Sequence, residues 1–219
     1  LLLDDLLDAR IDNSVPGPSE IDADLERRLA NIDLTDAEAE IEVLQEVKQS
    51  ATFRIGLASS RNSDAIATSR ALSDVADSMI ARTLSIAERD VAQRHGVLPQ
   101  RSCLAVIGYG SLGGAELGFA SDLDLVFVYD DAIANGESNG ERPLEGPRYV
   151  ARLAQRVVHW LTVQSHAGRL YEVDVRLRPD GGKGMLVVSL DAFAEYQRER
   201  AWIWEQQAFG GSLPGDDGQ

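Results

Sequence analysis

The stretch Gly108-Tyr-Gly-Ser-Leu-Gly-Gly-Ala-Glu-Leu-Gly-Phe-Ala-Ser-Asp-Leu-Asp-Leu-Val-Phe-Val-Tyr-Asp130 decides how the chain is read. The apolar run Leu104-Ala-Val-Ile107 just before it predicts a buried strand. Gly108, Gly110, Gly113 and Gly114 then allow a sharp turn and close approach to another molecule. Residues 123–129 predict a second strand. Asp122 and Asp124 are two apart, so an extended chain points both carboxylates to one face. Leu123 and Leu125 point the other way, toward a core. Like charges held side by side repel, and a cation relieves them. Hard oxygen donors of this kind suit Mg²⁺.

Working outward, residues 131–146 are rich in Asp, Glu, Asn, Gly and Pro and predict a solvated loop. Pro147 suits a first helical turn. Val150, Leu153, Val157 and Leu161 follow as the apolar stripe of a helix ending before Gly168. Residues 170–178, Leu-Tyr-Glu-Val-Asp-Val-Arg-Leu-Arg, alternate cleanly and predict a strand. Glu172, Asp174, Arg176 and Arg178 fall on one face, Val173, Val175 and Leu177 on the other. The charged face reads either as a wet outer surface or as part of a metal–triphosphate site. Residues 179–184 form a turn whose Lys183 is read as exposed and idle, and residues 184–189 a further strand. Ser189 caps a last helix over 190–208, where Phe193, Tyr196, Trp202 and Trp204 are read as packing groups.

Upstream, residues 1–11 predict a short helix and 13–19 a linker. Residues 21–32 are helical in pattern. Thr35 and Glu38 form a capping box that opens the next helix, with a stripe of Ile41, Leu44, Val47, Ala51 and Ile55. Residues 62–64 break or cap it. A third stripe, Leu72, Val75, Met79, Ile80 and Leu84, ends near residues 96–99. Such stripes mean core burial. Asp22, Asp24, Glu38, Glu40, Glu42 and Glu46 are read as a solvated helix face. His95, His159 and His166 have no metal-ligand spacing with Cys103, which is read as a buried small hydrophobe.

The composition bounds the function. A chain of 219 residues with net charge −15 lacks the basic balance a nucleic-acid partner needs. Its hydrophobic content of 44% supports a core, yet no apolar run has the length of a membrane span. One cysteine excludes an internal disulfide and suits a reducing cytoplasm. The leader is broken by Asp4 and Asp5, unlike a signal peptide. Without an initiator Met, the sequence reads as part of something longer.

A glycine turn carrying Ser, followed by two Asp on a strand, resembles the nucleotidyltransferases of the DNA-polymerase-beta type. The longer run from Gly108 to Phe127, with Tyr171-Glu-Val-Asp-Val-Arg-Leu-Arg-Pro179, closely resembles the glutamine synthetase adenylyltransferase/adenylyl-removing family. The match runs from about residue 101 to 208, with weaker support upstream. The resemblance implies an α+β fold, a polymerase-beta-like core with a mixed sheet over 101–208. A helical region over 1–100 precedes it, and a disordered tail over 209–219 departs from the family.

The resemblance also implies a site. Asp122, Asp124 and Asp174 would be the metal-binding carboxylates, Gly110 and Ser111 the turn that holds phosphates, and Arg176 and Arg178 further phosphate contacts. The cofactors implied are Mg²⁺ and ATP, the latter as substrate. The partners implied are glutamine synthetase and a PII-type signal protein. The expected activity is transfer of AMP to a tyrosine of glutamine synthetase. Three features are similar to the adenylylating, C-terminal half of the family: Glu116-Leu-Gly-Phe-Ala-Ser-Asp-Leu-Asp124, Leu170-Tyr-Glu-Val-Asp174, and Gly184-Met-Leu-Val187 followed by Ala194-Glu-Tyr-Gln197. Phosphorolytic removal of AMP, and a non-catalytic nucleotide-binding module, stay open as alternatives.

Overall fold

A computed structural model describes residues 15–61, 64–99, 104–177 and 185–199. The expected helix over 1–11, the tail over 209–219, Cys103, Arg178, Lys183, Trp202 and Trp204 lie outside the described residues. Within them the fold is α+β, with six α-helices and a small mixed sheet. None of the described helices is long and apolar enough to cross a membrane.

Three helices come first. Helix α1 (Pro18–Leu29) begins with Pro in its first turn and buries Ile21, Leu25 and Leu29, one residue per turn on one side. The linker reading therefore ends at Gly17. Helix α2 (Ala37–Arg61) starts one residue later than a Thr35 cap requires. Asp36 is the cap, its Oδ1 accepting from the Ala39 amide at 3.0 Å. Thr35 instead gives its amide and its hydroxyl to Asp33, each at 2.9 Å, and is consumed by that local turn. Helix α3 (Ala65–His95) is capped by Asp64, which accepts from the Ala67 amide, and ends at Gly96 with φ +71°.

The acidic residues of α1 and α2 are not all a wet face. Glu40 is buried and receives Nη2 of Arg89 at 2.7 Å. Arg28 reaches both Asp24 at 3.0 Å and Glu46 at 3.5 Å. The helices pack closely enough to pull Glu40 inside and to half-cover Asp24 and Glu46, where pairing offsets the loss of water.

The sheet is built around β2 (Leu123–Tyr129). On one edge β1 (Leu104–Tyr109) pairs antiparallel, from Leu104↔Tyr129 to Tyr109↔Asp124. The other edge is shared by two short parallel strands. β3 (Val173–Asp174) lies beside residues 123–124, and β4 (Val187–Ser189) beside residues 127–129. A single helical turn, α4 (Gly110–Gly113), follows β1. Helix α5 (Gly146–Thr162) separates β2 from β3, and α6 (Leu190–Glu199) follows β4.

The strand expected over 170–178 is thus reduced to a pair of residues. The far half of the β2 edge already belongs to β4. In addition the Asp174 side chain accepts from the Arg176 amide at 2.8 Å, a local turn that competes with a ladder. The charge alternation breaks with it. Val173 and Val175 pack on the main core, whereas Leu177 packs on the opposite side of the sheet. The strand expected over 184–189 likewise shortens to Val187–Ser189.

The main core is continuous. It joins the buried stripes of α1, α2 and α3 to Leu123, Leu125 and Phe127 of β2 and to Val150, Leu153, Val157 and Leu161 of α5. The other face of β2 carries a smaller cluster of Val126 and Val128 with Tyr109 and Phe193. The loop between β2 and α5 is not simply solvated. Ile133 is fully buried, Ser138 nearly so, and Asn139 and Gly140 are bonded to the end of α3. Because Leu125 is fully buried at the centre of the sheet, Leu125→Ala is expected to cost about 2–5 kcal/mol in urea unfolding. An effect below about 1 kcal/mol would contradict this central packing.

Candidate functional site

The backbone brings the candidate residues to one end of the sheet. Asp124 pairs with Tyr109 on one side and with Asp174 on the other. Register partners on neighbouring strands project to the same face, so the Asp124 and Asp174 side chains stand next to each other. This face also carries Val126 and Val128, whereas Leu123 and Leu125 are buried in the main core. Asp122 lies just before β2 and is exposed, while Asp124 and Asp174 are half-buried.

The turn after β1 closes over this pair. Gly110 has φ +56°, and a Cβ there would sit 2.5 Å from Oδ2 of Asp124. Only glycine lets the chain turn this close to the carboxylate. Ser111 follows in α4, and its hydroxyl has no hydrogen-bond partner among the described residues. Gly114 N donates back to the Gly110 carbonyl at 3.0 Å, which locks the turn.

Electrostatics follow from the register. The Asp124 carboxyl is pushed above its ordinary range, first by burial, then by Asp174 and Asp122, with Arg176 opposing. Arg176 holds Asp174 with Nε at 2.8 Å from Oδ2 and 3.0 Å from Oδ1. That bond and the charge of Asp174 push the Arg176 guanidinium further up. Among the described residues no three carboxylate, imidazole or thiol groups stand close enough, as placed, to share a metal ion. The donor chemistry nevertheless suits a hard divalent cation. Burial and the two neighbouring carboxylates raise the Asp124 pKa, and among the described residues the exposed Arg176 is a cation beside the pair. Arg178 lies outside the described residues.

The helices support this end of the sheet through residues that the motif reading passed over. Gln45 is fully buried within α2; its Nε2 donates to the Val163 carbonyl at 3.2 Å, and its Oε1 accepts from Ser165. Ser73 of α3 accepts from the Leu117 amide at 3.3 Å. Tyr171, buried just ahead of β3, donates its amide to Leu161 at 2.9 Å and lies under the Lys48 ammonium at 4.9 Å. Burial and then Asp77 push the Tyr171 hydroxyl far above its usual range, and burial pushes Lys48 down. One signal was legible: Gln45 sits four residues after Ile41, on an otherwise apolar stripe.

The three histidines take structural or surface places. His95 Nδ1 lies 2.7 Å from the Arg142 carbonyl, His159 tilts against Trp160, and His166 lies 3.1 Å from Glu42 at the surface.

Comparison with known proteins bears on this arrangement. The family model of glutamate–ammonia ligase adenylyltransferase matches residues 1–210. The chain belongs to that family. The match reaches through the whole helical region, further upstream than the motifs alone carry it. Relatives named bifunctional glutamine synthetase adenylyltransferase/adenylyl-removing enzyme include those of Xanthomonas axonopodis pv. citri, 48% identical over 209 residues, and Stenotrophomonas maltophilia, 46% identical over 209. That of Chromobacterium violaceum is 43% identical over 211 residues. Each alignment covers 95% of this chain and 22% of the relative. The chain therefore spans about a fifth of the length of these family members.

Two outcomes follow from the packing. Gly110→Ala is expected to cost about 1–2 kcal/mol from the left-handed backbone alone, with the clash against Asp124 added, read by urea unfolding; a neutral result would mean the turn does not press on the carboxylate. The second concerns pH. A carboxyl whose folded pKa is raised destabilises the fold once ionised, and the penalty vanishes below the ordinary carboxylate range. Asp124→Asn is expected to unfold at a higher temperature than the parent near neutral pH, in chelator. The gap should close as pH falls through the carboxylate range, and a gap constant with pH would contradict the charge crowding.

Proposed function

We propose that this chain is a nucleotidyl-transfer unit of its family, with a polymerase-beta-like core over residues 101–208. In this reading it moves AMP from ATP to a tyrosine of glutamine synthetase, in the adenylylating direction. The side-by-side pairing of Asp124 and Asp174, closed over by Gly110, is the observation that carries it. Family membership and the names of the relatives support the target. A PII-type signal protein as regulator and a cytoplasmic setting belong to the same reading and come from the resemblance.

Asp122, Asp124 and Asp174 would hold magnesium, which when bound neutralises triphosphate charge and lowers the pKa of the attacking hydroxyl. The remaining work falls to the chain itself. The Gly110–Ser111 turn offers backbone N–H groups and a hydroxyl to phosphate oxygens. Arg176, released from Asp174, supplies a guanidinium that can grip phosphate in the same forked manner as it now grips the carboxylate. The tyrosyl oxygen attacks the α-phosphate in line and pyrophosphate leaves, so catalysis is chiefly positioning and charge neutralisation. Lys48, Tyr171 and Gln45 do not touch the reacting atoms; they keep β3 at the depth that sets Asp174 beside Asp124.

The relatives' names join addition and removal of AMP, so direction is a separate question. With α-labelled ATP and glutamine synthetase, the chain is expected to transfer label to protein. Asp122→Asn and Asp124→Asn are each expected to lower that rate by about 10²-fold or more without loss of fold. Full activity in either variant refutes the site. Release of label from preloaded glutamine synthetase as ADP, without transfer, assigns the removing reaction. Magnesium-dependent ATP binding with neither reaction assigns a non-catalytic module.

A further inference from the structure

The described surface holds a cavity of about 470 Å³ that none of the site residues line. Its walls come from the last turns of α3, the loop at residues 141–142 and one side of α5. They carry Arg94, Arg142, Arg152 and Arg156, against only Asp90 and Glu141. In a chain of net charge −15 such a gathering of guanidinium groups is unexpected.

The usual structural reasons for arginine here are largely taken up by other groups. A cation near a helix C-terminus can serve its free carbonyls. At α3 three of the last four carbonyls have backbone partners already. Ala92 accepts from the Gly96 amide at 2.8 Å, Arg94 from Arg142 at 3.3 Å, and His95 from Gly140 at 2.9 Å. The Gly96 carbonyl accepts from the Tyr149 hydroxyl at 3.1 Å. Ion pairing accounts for one arginine. Arg156 Nε meets Asp90 at 2.8 Å, and its guanidinium lies 5.5 Å from the Trp160 ring centre. Among the described residues, no carboxylate pairs with Arg94, Arg142 or Arg152.

The walls are also firmly held. The loop and the helix end are clasped by Val97 N to Asn139 Oδ1 at 2.9 Å, by Asn139 N to the Val97 carbonyl at 3.3 Å, and by the Gly96–Gly140 contact. A Cβ on Gly96 would lie 2.2 Å from the Gly140 amide nitrogen, so this contact leaves no room for a side chain. Arg142 therefore enters the cavity from a backbone fixed against α3, so that stretch of main chain needs no ordering when a ligand arrives. A cavity of this size matches a small ligand rather than a macromolecule.

We propose that this cleft is a second anion site, which binds a small ligand of the pyrophosphate or nucleoside-phosphate class through Arg94, Arg142 and Arg152. Several guanidinium forks around one pocket match a group with oxygens on several sides. The overall negative charge does not forbid it, because screening confines the field of distant carboxylates to about 8 Å at physiological salt. The proposal is independent of the carboxylate site and stands whichever reaction that site performs.

Calorimetric titration of the whole chain with inorganic pyrophosphate tests it, in EDTA so that metal-dependent binding is suppressed. Saturable binding of one pyrophosphate per chain is expected. Arg94→Gln and Arg152→Gln should each weaken it about tenfold, and Glu141→Gln, which removes a rim carboxylate, should tighten it. Asp124→Asn should leave it unchanged. These side chains other than Asp124 are exposed, so the variants are expected to unfold at the parent's temperature. Absence of binding overturns the proposal, as does binding indifferent to both arginine substitutions or lost in Asp124→Asn. A parallel titration with glutarate separates the anion classes, since tighter binding of glutarate than of pyrophosphate overturns the phosphoryl assignment.

Discussion

Repulsion between Asp124 and Asp174 is the constraint around which this end of the molecule is arranged. Neither carboxylate can retreat, because each is fixed by a strand register, with Leu123 and Leu125 buried beside Asp124 and Val173 and Val175 partly buried beside Asp174. Leu123 and Leu125 anchor the central strand in the main core, and the Tyr109–Asp124 pairing prevents it from sliding. A one-residue slip would move the aspartates into the apolar interior and the leucines out of it, at a cost of several buried side chains. The fold thus holds like charges together with hydrophobic energy drawn from elsewhere in the sheet. Arg176 tempers the charge from the surface. Being exposed and long, it is the member of the group that can move away without disturbing the core.

The helices are part of the same construction. Helices α2 and α3 share one continuous core with the sheet and α5, and their polar groups reach into the loops that carry the site. Gln45 satisfies the turn after α5, Ser73 holds the segment after the glycine turn, and Lys48 covers Tyr171. Gln45 and Ser73 are buried and hydrogen-bonded, as interior polar groups must be to avoid a desolvation penalty, and the half-buried Lys48 rests over the Tyr171 ring. The depth of β3 relative to β2, and with it the approach of Asp174 to Asp124, is set partly by residues more than a hundred positions upstream. The same helix α3 forms, at its far end, the wall of the arginine cleft. One helix therefore holds the segment after the glycine turn and lines the arginine cleft.

Belonging to the glutamate–ammonia ligase adenylyltransferase family gives this geometry a chemical setting, while the chain spans only about a fifth of its relatives' length. A like-charged carboxylate pair beside a glycine turn is an expensive arrangement for a merely structural sheet. It is economical where a triphosphate and its cation must be gripped and then released. In the proposed reading, Arg176 bonded to Asp174 is the internal cation that an incoming metal ion would displace.

The α+β class, the two strands around the glycine turn and the opposed faces of Asp124 and Leu125 were legible from residue order, because period-two alternation and glycine placement are local properties. The helical stripes were legible for the same reason. Asp122, Asp124 and Asp174 were named from residue types, spacings and the family resemblance; alternation alone does not fix that Asp174 stands beside Asp124. Whether Asp174 lies beside Asp124 depends on which strand occupies which half of the β2 edge. That is a competition between β3 and β4 over a shared row of hydrogen bonds, and alternation within either segment does not record it. Local competition likewise decided the cap of α2, where Asp33 captures Thr35 and leaves Asp36 to the helix. Burial of Glu40, clasping of the 131–146 loop and convergence of the arginines at the end of α3 rest on contacts between distant segments. Residue order sets what each segment prefers, whereas which groups meet is a matter of packing, because charge pairing and register depend on neighbours that the chain supplies from far away.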